Sequence, residues 1–247
     1  MLPAALQPLR SYLGTVKYGV RMAGALFGKF PRDCTVCGHH GRFLAFDNPL
    51  HLGLNIDSRC PRCRSLERHR LVALCDREKN LFEGREVLHF APEPGMRDYI
   101  LARKPRRYVT CDYAPDIADL RINIEQIDLP DNSFDVVYCL HVLEHVEDSR
   151  AIPELYRIVR PGGLLIAMVP LIEGWDTSYI DATKTGNDRD RTLHFNQEDH
   201  VRMFGRDFRE RLKAPGFVVE EFTAVEPYVS RHGLIRGEKV FLCRKPA

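Results

Sequence analysis

From Arg85 onward, short apolar runs alternate with stretches whose apolar residues fall at helical spacing. Val87-Leu88-His89-Phe90 reads as a strand, and a helix follows Gly95 to about Arg103. Tyr108 to Cys111 is a second strand, and Phe134 to Leu140 a third, carried by Val136, Val137 and Tyr138. Ala151 to Val159 reads as a helix, after which Gly162-Gly163 turns the chain into the apolar run Leu164 to Val169. Late strands are expected at Phe217 to Phe222 and Lys239 to Cys243. Such alternation predicts an α/β fold of βαβ units: a mostly parallel sheet with helices on both faces. Its ligand belongs at the carboxyl ends of the strands, near a topological switch point.

Ahead of this region, residues 65–84 form a linking segment with a helix from Ser65 to Glu78, capped by Ser65. Residues 1–32 carry five basic side chains (Arg10, Lys17, Arg21, Lys29, Arg32) and no acid. Leu13, Val16, Val20, Ala23 and Phe27 give this segment an amphipathic helical pattern, which Gly14, Gly19, Gly24 and Gly28 weaken. A basic amphipathic helix can dock on the next domain, lie on an anionic membrane surface or act as an organelle-targeting peptide. Charge interrupts it too often for a membrane span.

The chain has 247 residues, 44% hydrophobic and 28% charged, which excludes disordered, collagenous and membrane-embedded classes. A formal net charge of only +2 does not point to nucleic acid. Eight cysteines suggest a secreted disulfide framework only if a secretory signal precedes them, and none is recognisable. Cys75, Cys111, Cys139 and Cys243 lie in apolar surroundings and are expected as buried free thiols in a reducing cytoplasm.

The other four cysteines fall within residues 33–64. Cys34-Thr35-Val36-Cys37 and Cys60-Pro61-Arg62-Cys63 are two Cys-x-x-Cys pairs, twenty-two residues apart. Two such knuckles, with Gly38 easing the first turn, complete a tetrahedral Cys₄ zinc site in a small zinc-ribbon-like module. A closed shell leaves no open position for chemistry, so the expected role is folding or recognition. His39, His40 and His51 are then surface residues.

The first strand–helix turn, Val87-Leu88-His89-Phe90-Ala91-Pro92-Glu93-Pro94-Gly95, occupies the ligand-holding position of a dinucleotide-type fold. Asp112 closes the next strand, where a carboxylate can take both ribose hydroxyls of an adenosine ligand. Further on stand Leu129-Pro130-Asp131-Asn132-Ser133-Phe134-Asp135-Val136-Val137, His141-Val142-Leu143-Glu144-His145 and Arg160-Pro161-Gly162-Gly163. In content and spacing these resemble the class I S-adenosylmethionine-dependent methyltransferases that act on small molecules, quinones and sugars. The resemblance covers about residues 85–245. It implies a Rossmann-like, mostly parallel seven-stranded sheet over residues 85–247. A closer likeness is to a bacterial subgroup with a cysteine module in front. It rests on Cys60 to Arg70, Val87 to Gly95, Asp199-His200-Val201-Arg202 and Arg244-Lys245-Pro246. That subgroup often looks associated with surface-polysaccharide pathways.

What the resemblance implies is a cofactor site at His89, Phe90, Ala91, Glu93, Gly95, Asp112, Asn123, Ile124, Leu140 and His141. The methionine end would lie against Ala91 to Gly95, the ribose on Asp112 and the adenine near Asn123 and Ile124. The chain departs from the family at several of these positions. Asn123 stands where most relatives carry an aspartate, although its side-chain oxygen can still accept. His89 replaces the usual acid, Ala91 and Glu93 replace two glycines, and two prolines stiffen the loop. Glu93 reads either as a charge partner for the methionine ammonium or as a solvated loop acid.

Methyl transfer needs an aligned acceptor and exclusion of water, and a base helps when the acceptor is a hydroxyl. Candidates are His141, His194 and His200, with Arg202 beside them. The polar connection Leu171 to Asn196 is long enough to be a substrate lid. His141-Val142-Leu143-Glu144-His145 also fits a short zinc-hydrolase pattern, but the methyltransferase match accounts for it in context. The leading expectation is therefore a cytoplasmic methyltransferase acting on an oxygen of a small-molecule or saccharide acceptor, with peripheral contact at the inner membrane face through residues 1–32 as an open addition. The alternatives are a zinc-ribbon rRNA or tRNA methyltransferase, supported by Arg62, Arg64, Arg68, His69 and Arg70, and an inactive adaptor that keeps the fold.

Overall fold

The computed structural model describes residues 16, 19, 20, 23, 24, 26–47 and 54–247. Most of the basic segment 1–32, and His51, lie outside the described residues. Two small antiparallel ladders come first, β1 (Pro31–Asp33) with β2 (His40–Arg42) and β3 (Leu44–Asp47) with β4 (Leu54–Arg59). Helix α1 (Glu67–Lys79) leads into β5 (Glu86–Phe90), α2 (Pro94–Ala102), β6 (Arg107–Asp112), the two-residue β7 (Leu120–Arg121) and β8 (Phe134–Leu140). Then come α3 (Asp148–Ile158), β9 (Val159–Met168), α4 (Asp188–Phe195), α5 (Phe208–Lys213), β10 (Val218–Thr223), α6 (Tyr228–His232) and β11 (Lys239–Arg244).

The main sheet has seven strands in the order β10-β11-β9-β8-β5-β6-β7. Strands β5 to β9 run parallel, and β11 inserts antiparallel between β9 and β10. Chain order reverses between β5 and β8, which fixes the switch point there.

Alternation along the strands sends side chains to two cores. Leu88, Phe90, Val137 and Cys139 face α3 and α5, where Ile152, Leu155, Ile158, Phe208 and Leu212 meet them. Val87, Val136, Tyr138 and Leu140 face α1 and α2, against Leu71, Leu74, Met96 and Ile100. Each such aliphatic side chain contributes about 2 kcal/mol by leaving water. The four free thiols Cys75, Cys111, Cys139 and Cys243 are all buried in these cores.

Where the sequence suggests a turn at Gly162-Gly163, β9 instead runs through both glycines with a register irregularity. Gly162 has φ +74, and a Cβ on Gly163 would come within 2.8 Å of the Asp135 carbonyl. A bulged strand at that close approach therefore requires glycine. Helix α1 also departs from expectation. Its start is held by His69 Nδ1, which accepts from the Leu66 N–H at 3.0 Å, while the Ser65 hydroxyl lies 3.3 Å from Cys34 Sγ.

Helix α1 is buried around most of its girth, from His69 to Asp76, because it lies between the cysteine module and the sheet. Asp76, wholly buried, is fully matched: it accepts from Leu81 N–H and Tyr99 O–H, and Arg103 Nε lies 2.7 Å away. Arg70 is also wholly buried. Its guanidinium donates to the carbonyls of Ser65, His232 and Gly233 at 2.7–2.8 Å and stacks over Phe43. His232 in turn donates from Nδ1 to the Asp33 carbonyl, so α6 clasps β1.

Candidate functional site

Four sulfurs gather at the base of the module. Sγ of Cys34 lies 3.6 Å from Cys63, and Sγ of Cys37 lies 3.7 Å from Cys60. Tetrahedral zinc with bonds of about 2.3 Å would space its sulfurs about 3.8 Å apart. Each pair is a tight knuckle: Gly38 N–H donates to Cys34 O, and Arg64 N–H to Cys60 O. No disulfide joins these cysteines, and the geometry matches a closed four-thiolate metal shell. Of the neighbouring histidines, His40 is exposed and pairs with Asp33 at 2.6 Å.

The second site lies at the switch point. Phe90 pairs with Cys111, which sets Ala91 beside Asp112 at the strand ends. Ala91 has φ +49, the left-handed conformation that favours glycine. His141, the first residue after β8, has φ +52 and donates its N–H to the Met168 carbonyl. Non-glycine residues hold this conformation at a cost of about 1 kcal/mol or more, and such strain clusters at ligand sites. Asp112 accepts from Ala114 N–H with Oδ1, an Asx turn that aims the carboxylate out of the strand end.

The remaining cofactor candidates divide. Phe90 and Ile124 are core side chains, so only their backbone faces the switch point. Leu140 is buried on the α1–α2 side. Asn123 is exposed, and its side-chain oxygen accepts from Glu125 N–H. His89 is fully buried: Nδ1 lies 2.7 Å from the Tyr108 hydroxyl, its ring meets Tyr138 edge-on, and burial pushes its pKa down to about 3.

Glu93 turns away from the loop mouth. It accepts from Arg68 at 2.5 Å and from His69 Nε2–H. Because His69 Nδ1 accepts from Leu66, the proton must sit on Nε2, and burial keeps the ring neutral. Burial opposes ionisation of Glu93 too. The His69 hydrogen bond and the charge and hydrogen bond of Arg68 outweigh it and hold the carboxyl at about 2. A depressed acid stabilises the fold above its unfolded pKa, near 4.5, and that stabilisation is lost as pH falls toward about 2. The side chain is 34% exposed, so screening leaves about 1 kcal/mol. Melting curves should therefore fall more steeply between pH 4.5 and 3 for the wild type than for Glu93→Gln; parallel curves would remove Glu93 from the account.

Beside the switch point opens a cavity of about 700 Å³, bounded by His141, Glu144, His145, His200, Arg68 and Glu238. Leu171 pairs with Phe204 and Tyr179 with Met203, which draws the stretch after α4 back to the sheet and delivers His200 to the cavity. Asp112 and Ala91 do not line it; His141 is the residue common to both places. The long polar connection contains α4, and within it His194 bonds the Tyr179 hydroxyl through Nδ1, away from the cavity wall. Arg202 is also elsewhere: it is 2% exposed and pairs with Asp148 and Glu147 at the start of α3. Asp148 also binds Arg211, at 3.1 Å. Two carboxylates escaped the sequence reading. Glu144 sat inside a recognised motif, and Glu238 carried no signal at all. Burial pushes the Glu238 carboxyl up to about 8.

Residues 76–167 match the family described as methyltransferase domain, well under half of the chain. A Mycolicibacterium smegmatis protein named "Probable S-adenosylmethionine-dependent methyltransferase" is 31% identical over 99 residues, 35% of this chain and 38% of that relative. Among solved structures, the YcgJ protein of Bacillus subtilis aligns with a TM-score of 0.51 at 12% identity, over 72% of this chain and 99% of its own. An S-adenosylmethionine-dependent methyltransferase of Mesorhizobium loti aligns at 0.50 and 17% identity, over 71% and 98%. The fold is that of the class I methyltransferases, and residues 76–167 carry the methyltransferase-domain signature.

Proposed function

We propose that the protein transfers a methyl group from S-adenosylmethionine to an oxygen of a small-molecule or saccharide acceptor held in the 700 Å³ cavity. The observation that carries this reading is the convergence of Ala91, Asp112 and His141 at the switch point, with the cavity opening at His141. The residues fit the cofactor. Ala91 holds the left-handed φ that glycine favours, and Asp112 keeps its second carboxylate oxygen for the ribose hydroxyls. Glu93 is spent on Arg68 and His69, so the methionine ammonium must be met by backbone carbonyls of the loop. When bound, the cofactor supplies an electrophilic methyl group, and the protein's work is alignment and exclusion of water. The four cysteines hold a structural zinc ion in this reading.

The nucleic-acid alternative loses support from the basic patch. His69 and Arg70 are buried, and Arg68 is paired with Glu93, which leaves Arg62 and Arg64 exposed. The adaptor alternative rested on the altered loop, yet Ala91 takes the left-handed φ that a glycine there would favour.

Calorimetric titration with S-adenosylhomocysteine tests the reading. Micromolar binding is expected, weakened about 100-fold, or about 2.7 kcal/mol, by Asp112→Ala. The variant should melt within about 0.5 kcal/mol of the parent, since Asp112 makes a single local bond. No binding by a folded, zinc-loaded sample would overturn the proposal.

A further inference from the structure

Glu144 buries a carboxylate that no hydrogen bond satisfies. The residue is 1% exposed, yet neither carboxylate oxygen has a hydrogen-bond partner among the described residues. The nearest basic atom is His141 Nδ1, at 3.3 Å from Oε1. Buried carboxylates are normally paired, hydrogen-bonded or bound to metal, because an unmatched one costs several kcal/mol. Here the carboxylate lies in the wall of the cavity.

Two imidazoles stand next to it. The rings of His145 and His200 meet edge to face with centroids 4.7 Å apart. One nitrogen from each ring and one Glu144 oxygen all lie within 4.8 Å of one another. Both tautomers can be read from backbone contacts. His200 Nδ1 lies 3.0 Å from the Phe195 carbonyl, and His145 Nδ1 lies 3.2 Å from the Asp199 carbonyl. A carbonyl only accepts, so each Nδ1 carries the proton and each Nε2 keeps a lone pair. An imidazole whose second nitrogen donates to a backbone carbonyl is the usual outer arrangement of a metal-binding histidine. These carbonyls come from the end of α4 and the stretch behind it, which therefore set the donor atoms.

We propose that Glu144, His145 and His200 bind a divalent transition-metal ion in the wall of the acceptor cavity, separate from the cysteine site. Two imidazoles and one carboxylate form a borderline donor set suited to zinc-class ions, not to magnesium or calcium. Three protein ligands leave a coordination position open toward the cavity. The acceptor class that fits is one bearing a hydroxyl, or two adjacent hydroxyls, able to occupy that position. This last step rests on the methyl-transfer reading; the binding of the ion does not.

Cobalt(II) tests the site in full-length protein already loaded with one zinc per chain. One further equivalent should bind with weak visible d–d bands and without the intense near-ultraviolet thiolate absorption of a cysteine site. His200→Ala and the near-isosteric Glu144→Gln should each weaken cobalt binding at least tenfold. Zinc content should stay at one per chain, and S-adenosylhomocysteine titration should be unchanged. Absence of a second equivalent, or cobalt binding indifferent to both substitutions, would overturn the proposal. The homocysteine titration in the same samples reports separately on the methyl-transfer reading.

Discussion

Cys60→Ser is expected to destabilise the protein by at least about 5 kcal/mol, because structural zinc in a four-thiolate shell contributes about 10–16 kcal/mol of apparent folding energy. Cys60 is wholly buried, and its sulfur lies 3.7 Å from Cys37, so serine removes one of four ligands with no replacement nearby. The loss should not stay in the module. Thr35 donates to the Arg70 carbonyl and accepts at its own carbonyl from Arg77, so the first knuckle grips α1 along two turns. Helix α1 in turn supplies Leu71, Val72 and Cys75 to the core beneath the sheet. Calorimetry of the zinc-loaded parent should show one transition, and the variant should melt at least about 10 °C lower. Treatment of the parent with a chelator should reproduce the shift. An unchanged melting temperature would mean that the cysteines merely pack.

Arg70→Met is expected to cost about 3 kcal/mol, a melting-temperature drop of roughly 6–12 °C for a chain of this size. Methionine can fill the volume over Phe43, where the guanidinium now stacks at 4.6 Å. It cannot donate to the carbonyls of Ser65, His232 and Gly233; Ser65 keeps the Cys60 N–H, whereas the other two lose the guanidinium that ties α6 to the module. The arginine also compensates charge. Burial lowers its pKa, while Glu67 and the thiolates of Cys34, Cys60 and Cys63 pull it back up. A four-thiolate zinc shell would carry a net negative charge, and Arg70 would be the buried cation beside it. Arg64→Met, at an exposed position of the same module, should stay within about 0.5 kcal/mol of the parent. Equal melting of the two variants would remove the clasp from the account.

Strands β8 and β9 were legible as apolar runs, and β5, β6, β10 and β11 as short β-branched or aromatic stretches, whereas the two residues of β7 are too few to carry a pattern. The Cys-x-x-Cys pairs were legible for a different reason: their chemistry is local, and the knuckles close within four residues. Contacts made at a distance were not. Nothing in the sequence near Glu93 says that it faces Arg68 and His69, or that Arg70 reaches His232. Arg202 sits two residues from His200, and the sequence could not separate them. A bridge at Phe204 and a hydrogen bond from Val201 to the Glu144 carbonyl turn one toward the cavity and the other toward Asp148. Gly162-Gly163 misled because a bulge and a turn ask for the same residue.

Gly95 opens a different perspective on the cysteine module. A Cβ at that position would lie 2.8 Å from the carbonyl oxygen of Cys63, so the first turn of α2 rests on the second knuckle, backbone to backbone. Glu93, two residues earlier, is fastened to the helix that follows the same knuckle. The loop that would face the cofactor in the proposed reading thus has the cysteine module as its back wall. Two ligands that share a wall share free energy: whatever the metal adds to the order of that loop, the cofactor gains in affinity, and occupancy of the cofactor site must tighten the metal by the same factor. If both ligands bind as proposed, the module and the sheet respond as one thermodynamic unit, and the boundary between them exists along the chain but not in the equilibrium.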